Sequence, residues 1–274
     1  MLEALGGLLI GVCLGLLGSG GSILTVPLLV YLLGHDPKVA IAESLAIVGG
    51  IALIGAIGPA LRKRVDWPSV LFFGIPALVG TVGGVWASQF MAGSLQLAIF
   101  AVVMLLAAGL MVRGKSGSVG DEDRPPRTTR DLVLVMLEGT GVGILTGIVG
   151  VGGGFLIVPA LVLLGRLSMG VAVGTSLVII AIKSLFGFLK NWDQFAGSEF
   201  EISWVTIALF VGFGGVGSLL GSGLGRRIPQ ERLRQVFGGF LVVMGIAILV
   251  VTGPKMIQDA DSAAAEGVGA AVVE

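Results

Sequence analysis

The chain has 274 residues, 55% hydrophobic and only 12% charged, and its basic and acidic side chains cancel to a net charge of zero. A soluble domain carries roughly 25% charged residues, so with a mean hydropathy of +1.02 a water-soluble globule is excluded and a bilayer is the expected solvent. Zero net charge says nothing about partners, and no nucleic acid is expected among them.

In chain order, the first predicted element is a broken segment over residues 3–33. It is uncharged from 4 to 34 and centred on Gly18, Ser19, Gly20, Gly21 and Ser22. Each glycine costs about 1 kcal/mol relative to alanine inside a helix, and Pro27 removes a further helical hydrogen bond. Two short helices meeting at a loop inside the membrane are therefore expected. Backbone of that kind survives at depth only when buried in protein or lining a cavity. Glu3 and the lack of a basic leader argue against a cleaved signal peptide. Cys13, the single cysteine, reads as a packed thiol. His35, beside Asp36 and Pro37, reads as part of a solvated turn. Full spans follow at about 38–61, 68–89 and 93–113, and residues 67–112 carry no charge, enough for two crossings of about 20 residues. A polar stretch at 114–130, with Asp121, Glu122, Asp123, Pro125 and Pro126, predicts a cytoplasmic linker. A second broken segment at 131–165 has its own cluster at Gly150, Gly152, Gly153 and Gly154, followed by Pro159. Spans at about 168–190, 202–224 and 233–252 and a flexible tail at 255–274 complete the chain.

The two halves are copies. At an offset of 132, Gly15, Gly18, Gly20, Gly21 and Pro27 recur as Gly147, Gly150, Gly152, Gly153 and Pro159, and Val39, Ala40, Ser44 and Leu45 recur as Val171, Ala172, Ser176 and Leu177. At an offset of 137, Trp67, Gly80 and Gly84 recur as Trp204, Gly217 and Gly221. Domain organisation is thus one repeat over 1–113 and a second over 131–254. The Gly80/Gly84 and Gly217/Gly221 pairs predict close helix packing.

Charge indicates how the broken segments run. If each is re-entrant, Arg62, Lys63, Arg64, the basic residues of the linker and its flanks, Arg166, and the group Arg226, Arg227, Arg232 and Arg234 share one side, which gathers thirteen of the seventeen Lys and Arg. Lys38 and the acidic residues Asp193, Glu199 and Glu201 lie opposite. The positive-inside rule prefers this arrangement. Both termini are then extracytoplasmic, and three crossings per half make the repeats inverted, an architecture common among secondary transporters.

A helix that begins inside the membrane aims free N–H groups and its positive dipole end into the protein. With glycine allowing close approach, such an end is an anion site. Ser19, Gly20, Gly21 and Ser22 in the first half, and Gly152, Gly153 and Gly154 in the second, are the candidate substrate-binding residues of the two loops. Neither cluster is a nucleotide loop, since no G-K-[ST] follows and the third glycine of G-x-G-x-x-G is missing. Ionisable residues inside the apolar runs are functional candidates because burying them is expensive. Lys183 shares a helical face with Thr175 and Ser176, and the three join the substrate-binding set. Glu43 reads as a protonation site, a partner of Lys183, or a residue near the membrane interface. Glu138, near the linker, reads as interfacial. No metal-ligand cluster, catalytic constellation or cofactor motif is present, so an enzyme is not expected.

The twice-occurring pattern G-x-x-G-x-G-G-G-x-x-x-x-P followed by V-A-x-x-T-S-L resembles the sulfite exporter TauE/SafE family of membrane permeases. The second copy, Gly147–Pro159 with Val171–Leu177, fits throughout; in the first, Ser22 stands for a glycine and Glu43 for a threonine. The resemblance implies a permease of the inner (plasma) membrane for sulfite, a sulfonate or a related sulfur compound, proton-linked. The residues by themselves predict an all-α polytopic protein carrying a small anion. An uncoupled anion channel and a membrane scaffold are the alternatives.

Overall fold

A computed structural model describes residues 2–19, 21–91, 93–113, 129–149, 154–195, 202–225, 227–229 and 231–250. The 114–128 part of the linker, the tail, and Gly20, Gly152 and Gly153 lie outside the described residues. The described elements are helical: α1 (Leu2–Leu17), α2 (Gly21–Pro27) continued by a π-helical turn (Leu28–Leu32), α3 (Pro37–Leu61), α4 (Trp67–Ser88), α5 (Gly93–Arg113), α6 (Thr129–Val149), α7 (Gly154–Leu163), α8 (Met169–Phe195) and α9 (Trp204–Gly225). A last helix, α10, covers Glu231–Val250.

Five of these, within α3, α4, α8, α9 and α10, are long and apolar enough to cross a membrane. Their outer faces are apolar. Leu71, Ile75, Val79 and Val82 of α4 and Val205, Val216 and Leu220 of α9 are about half exposed or more, which is tolerable only against lipid. Trp67 and Trp204, which begin α4 and α9, are each just over half exposed, and Trp86 packs edge-on against Phe90 at the far end of α4. Such aromatic rings suit the two membrane–water interfaces. At 16 residues, α1 reaches only about 24 Å, short of the roughly 30 Å hydrocarbon core.

The helices pair across the two halves. In lipid no hydrophobic force drives helices together, so association rests on close packing of backbones. Gly7, Gly11 and Gly15 form one stripe along α1, four residues apart, and face Phe210, Gly214 and Ser218 of α9. Gly217 and Gly221 of α9 face Leu8 and Val12 in return. The same contact recurs between α6 and α4. There Gly139, Gly143 and Gly147 meet Phe73, Ala77 and Thr81, while Gly80 and Gly84 meet Thr140 and Ile144. Both pairs run parallel. At most of these glycines a Cβ would overlap a carbonyl oxygen of the partner. The hydrogen that replaces it points at that oxygen, a weak Cα–H···O contact repeated along the seam.

Between the two pairs stand α3 and α8, the most buried of the spans. Ile47, Ile51 and Ala52 of α3 and Leu177, Ile180 and Ala181 of α8 belong to the buried core. Gly49 packs on Leu185 and Gly187 on Leu45.

Leucine at Gly11 or Gly143 would force its side chain into a partner backbone that cannot yield. Overpacking in a rigid contact costs about 3 kcal/mol or more, so either variant should lose its monodisperse folded peak on size-exclusion chromatography. Gly83→Leu and Gly141→Leu, where nothing lies within 4 Å of an added Cβ, should keep it.

Candidate functional site

The first helix break is closed by Gly18. Its amide donates to the Leu14 carbonyl at 2.7 Å, and its φ of +77° lies in the left-handed region that glycine adopts at helix ends. The position also has no room, since a Cβ would stand 2.9 Å from Val173 Cα and 2.7 Å from Ser176 Oγ. Beyond it Ser19 is fully buried, and its hydroxyl has no hydrogen-bond partner. Gly21 opens α2. Ser22 donates its hydroxyl to the Ser19 carbonyl at 2.8 Å, and Thr25 donates to the Gly21 carbonyl at 3.1 Å.

The second break leads into α7 at Gly154, whose missing Cβ would lie 3.0 Å from both Ser22 Oγ and Ile180 Cδ1. The first residue of α7 therefore stands against the first turn of α2, and these two helices begin side by side.

Lys183, one turn beyond Ile180 on α8, is buried. Its ammonium lies 3.5 Å from Thr146 Oγ1, and Thr146 donates its own hydroxyl to the Gly143 carbonyl at 2.9 Å. The ammonium thus sits in the last turn of α6, at the negative end of that helix dipole. One long contact to a neutral hydroxyl under-satisfies a buried cation with three donors.

The other residues expected here have different duties. Ser176 Oγ shares its hydrogen between the carbonyls of Val173, at 2.8 Å, and Gly18, at 3.1 Å, so it holds the break in shape. Thr175 Oγ1 accepts the amide of Asp66 at 2.9 Å and faces the start of α4. Glu43 does not pair with Lys183. It is fully buried, and its two oxygens meet the Ser203 amide at 2.8 Å and His35 Nδ1 at 2.6 Å. His35 is accordingly no solvated turn: its side chain is 20% exposed and bonded inward. Glu138 is half-buried and has a partner of its own.

A cavity of about 390 Å³ opens where α3 ends. Arg62 and Arg64 stand at its mouth, and Gly15 and Leu16, the last turn of α1 before the break, line its inner part with Val173. Val173 is the same residue that crowds Gly18, so the cavity reaches the wall of the first break. Sequence reasoning placed Arg62 and Arg64 on the positive side without linking them to the breaks; their position just after a span facing the repeated glycines was the available signal.

Two substitutions separate the parts of the first break. Ser176→Ala gives up one neutral hydrogen bond and should cost about 1 kcal/mol. Gly18→Ala adds the left-handed penalty of about 1–2 kcal/mol to a backbone clash, so it should lower the melting temperature of the detergent-purified protein by clearly more. Equal melting temperatures for the two variants would contradict this geometry.

The profile of the sulfite exporter TauE/SafE family matches residues 3–248. A probable membrane transporter protein of Xylella fastidiosa (strain 9a5c) is 34% identical over 257 residues, covering 89% of this chain and 91% of that protein. The probable membrane transporter protein YunE of Bacillus subtilis (strain 168) is 27% identical over 263 residues, covering 89% and 94%. A probable membrane transporter protein of Methanocaldococcus jannaschii is 26% identical over 254 residues, covering 89% and 93%. No solved structure matches the chain. A helical multi-pass architecture, glycine clusters at paired helix breaks and a match over nearly the whole length lead to one conclusion: the chain is a membrane transporter of the sulfite exporter TauE/SafE family.

Proposed function

We propose that the protein carries a small anion across the inner (plasma) membrane and that the anion binds where α2 and α7 begin. The observation that carries this is Lys183, a buried ammonium whose single long contact is to Thr146 in the last turn of α6, while Gly154, the first residue of α7, stands against Ser22. Two helix N-termini supply N–H groups and positive dipole ends. The unpartnered Ser19 hydroxyl joins the set with Gly21; Gly20, Gly152 and Gly153, expected beside them, lie outside the described residues. Ser176 and Thr175 shape the surroundings without needing to touch the anion. Sulfite, a sulfonate or a related oxyanion fits this chemistry, since each offers several acceptor oxygens and no donor is required. Arg62 and Arg64 form a basic mouth that raises the local anion concentration.

The repeats are inverted in this account, and the broken segments re-entrant. Equivalent hydrogen bonds at opposite ends of α3 support it: the Asp66 amide to Thr175 near one end, and the Ser203 amide to Glu43 near the other. The arginine-bearing end faces the cytoplasm by the positive-inside rule, and both termini face outward. Impermeant labelling of a cysteine at 197 from outside, and of one at 227 only after permeabilisation, is the expected pattern. A cytoplasmic label at both would contradict the inversion.

Radiolabelled sulfite should exchange into proteoliposomes preloaded with unlabelled sulfite, and exchange should exceed net uptake. Equal rates would identify a channel. Lys183→Met keeps length and removes charge. A charged hydrogen bond contributes about 1.5–3 kcal/mol, so sulfite affinity should fall about 10- to 100-fold while thermal stability changes little. Arg62→Gln with Arg64→Gln should raise the half-saturating concentration at low salt and leave the saturated rate unchanged. Unaltered affinity in Lys183→Met would remove the ammonium from the site.

A further inference from the structure

Each half closes on the other through one partly buried hydrogen bond at the start of a span. Asp66 caps α4 by accepting the Ser69 amide at 3.0 Å, and its own amide is held by Thr175 of α8 at 2.9 Å. Ser203 caps α9 by accepting the Thr206 amide at 3.3 Å, and its own amide is held by Glu43 of α3 at 2.8 Å. At the repeat offsets, Asp66 corresponds to Ser203, Ser69 to Thr206, and Thr175 to Glu43. The two fastenings are therefore copies of one device at opposite ends of α3. They differ in their caps, Asp66 against Ser203, and in their acceptors. The acceptor is a neutral hydroxyl at one end and a fully buried carboxylate at the other, and only the carboxylate carries a second partner, His35 Nδ1 at 2.6 Å.

We propose that His35 and Glu43 form a proton-binding site that fastens the α9 end of the protein when it holds a proton and releases it when the proton leaves. The proposal rests on the transporter reading above. With one proton beyond the neutral imidazole, the site is an imidazolium–carboxylate pair with no net charge. When that proton departs through the partly exposed imidazole, a carboxylate with no counter-charge is left buried. Burying an unpaired charge is costly, so the deprotonated pair favours a state in which Glu43 meets water and the Ser203 amide is freed. Linkage fixes the sign: the closed form binds one more proton, so closure is favoured as pH falls and lost as pH rises. The acceptor of the equivalent fastening, the Thr175 hydroxyl, binds no proton of this kind, which makes the two ends of α3 unequal. That inequality is what a proton gradient needs in order to drive a transporter in one direction.

Few other charges bear on the pair. Asp36 adjoins His35, is exposed and has a partner of its own. From α9 the neighbours are Ser203 and Thr206, which are uncharged. From α1, which runs parallel to α9, Glu3 lies near the same end and is half-exposed. Lys38, Glu199 and Glu201 are close in sequence, and their side chains lie outside the described residues.

The test needs no substrate, so it succeeds or fails independently of sulfite transport. In full-length protein with Cys13→Ser, a reporter Ile202→Cys is reacted with an impermeant maleimide between about pH 5 and 8, where histidine titrates. Glu43→Thr copies the neutral fastening of the other half and supplies the intrinsic pH dependence of the thiol. The labelling rate of the parent, divided by that of the Glu43→Thr variant at the same pH, should rise with pH by up to about tenfold per unit, the limit for one linked proton. His35→Phe, which leaves the carboxylate without its partner, should label fast and without that extra slope. A second reporter, Val65→Cys at the Thr175 end, should show no excess slope in any background. A flat ratio at Ile202→Cys, or the same slope in His35→Phe as in the parent, would overturn the proposal. Monodispersity of each variant on size-exclusion chromatography separates a lost fastening from a lost fold. Normal labelling behaviour with no sulfite exchange would overturn the choice of anion and leave the proton site standing.

Discussion

Backbone-to-backbone contact along the glycine stripes is the constraint on which the rest of the fold depends. Lipid supplies no hydrophobic drive between helices, so α1 and α6 hold their places only because Gly7, Gly11 and Gly15, and Gly139, Gly143 and Gly147, bring them against the carbonyls of α9 and α4. These contacts cross between the halves: the broken helix of each copy packs on a span of the other. Neither copy can complete itself. Each stripe stops two residues short of its helix end, at Gly15 before Leu17 and at Gly147 before Val149. The two helices that follow, α2 and α7, come to one place, where Gly154 meets Ser22.

Hydroxyls within the helices follow a common rule, and two of the departures from it belong to the proposed site. Ser44, Thr81, Thr140, Thr146 and Ser176 each donate a hydroxyl to a carbonyl three or four residues back. This back-bonding gives a hydroxyl in an apolar helix an acceptor close at hand. Among the described residues, the Ser19 and Ser218 hydroxyls and Arg234 Nε are buried without a partner, and Lys183 has only its long contact to Thr146. Ser19 and Lys183 border the two breaks. A buried donor lacking a partner is costly unless something else supplies one, and an anion with several acceptor oxygens would satisfy both.

Much of the fold was legible because composition and repetition are strong signals in a membrane chain. Long uncharged runs mark membrane-embedded segments, and the recurrence of Gly18, Gly21 and Pro27 as Gly150, Gly153 and Pro159 is enough to mark both breaks. Packing by Gly80, Gly84, Gly217 and Gly221 followed from the same repeat. The stripes at Gly7, Gly11, Gly15 and their copies were harder to see, since they lie within segments whose dominant feature is the glycine cluster that ends them. The side chains of the site were less legible. Thr175 and Ser176 share a face with Lys183 in the helical pattern, yet their hydroxyls serve Asp66 and Gly18, partners more than 100 residues distant that no local spacing encodes. The same holds for Glu43. Its position early in a span suggested an interface, whereas Ser203, 160 residues away, and His35, across a loop, bury it completely.

The central claim, an anion held where α2 and α7 begin, is tested most directly by locating the anion itself. Selenite has the shape and charge of sulfite and scatters anomalously. Crystals of the Cys13→Ser protein grown with selenite should show one strong anomalous peak beside Ser22 and Gly154, within reach of the Lys183 ammonium. That peak should vanish in Lys183→Met. A peak found only between Arg62 and Arg64, or one at the breaks that persists unchanged in Lys183→Met, would contradict the account.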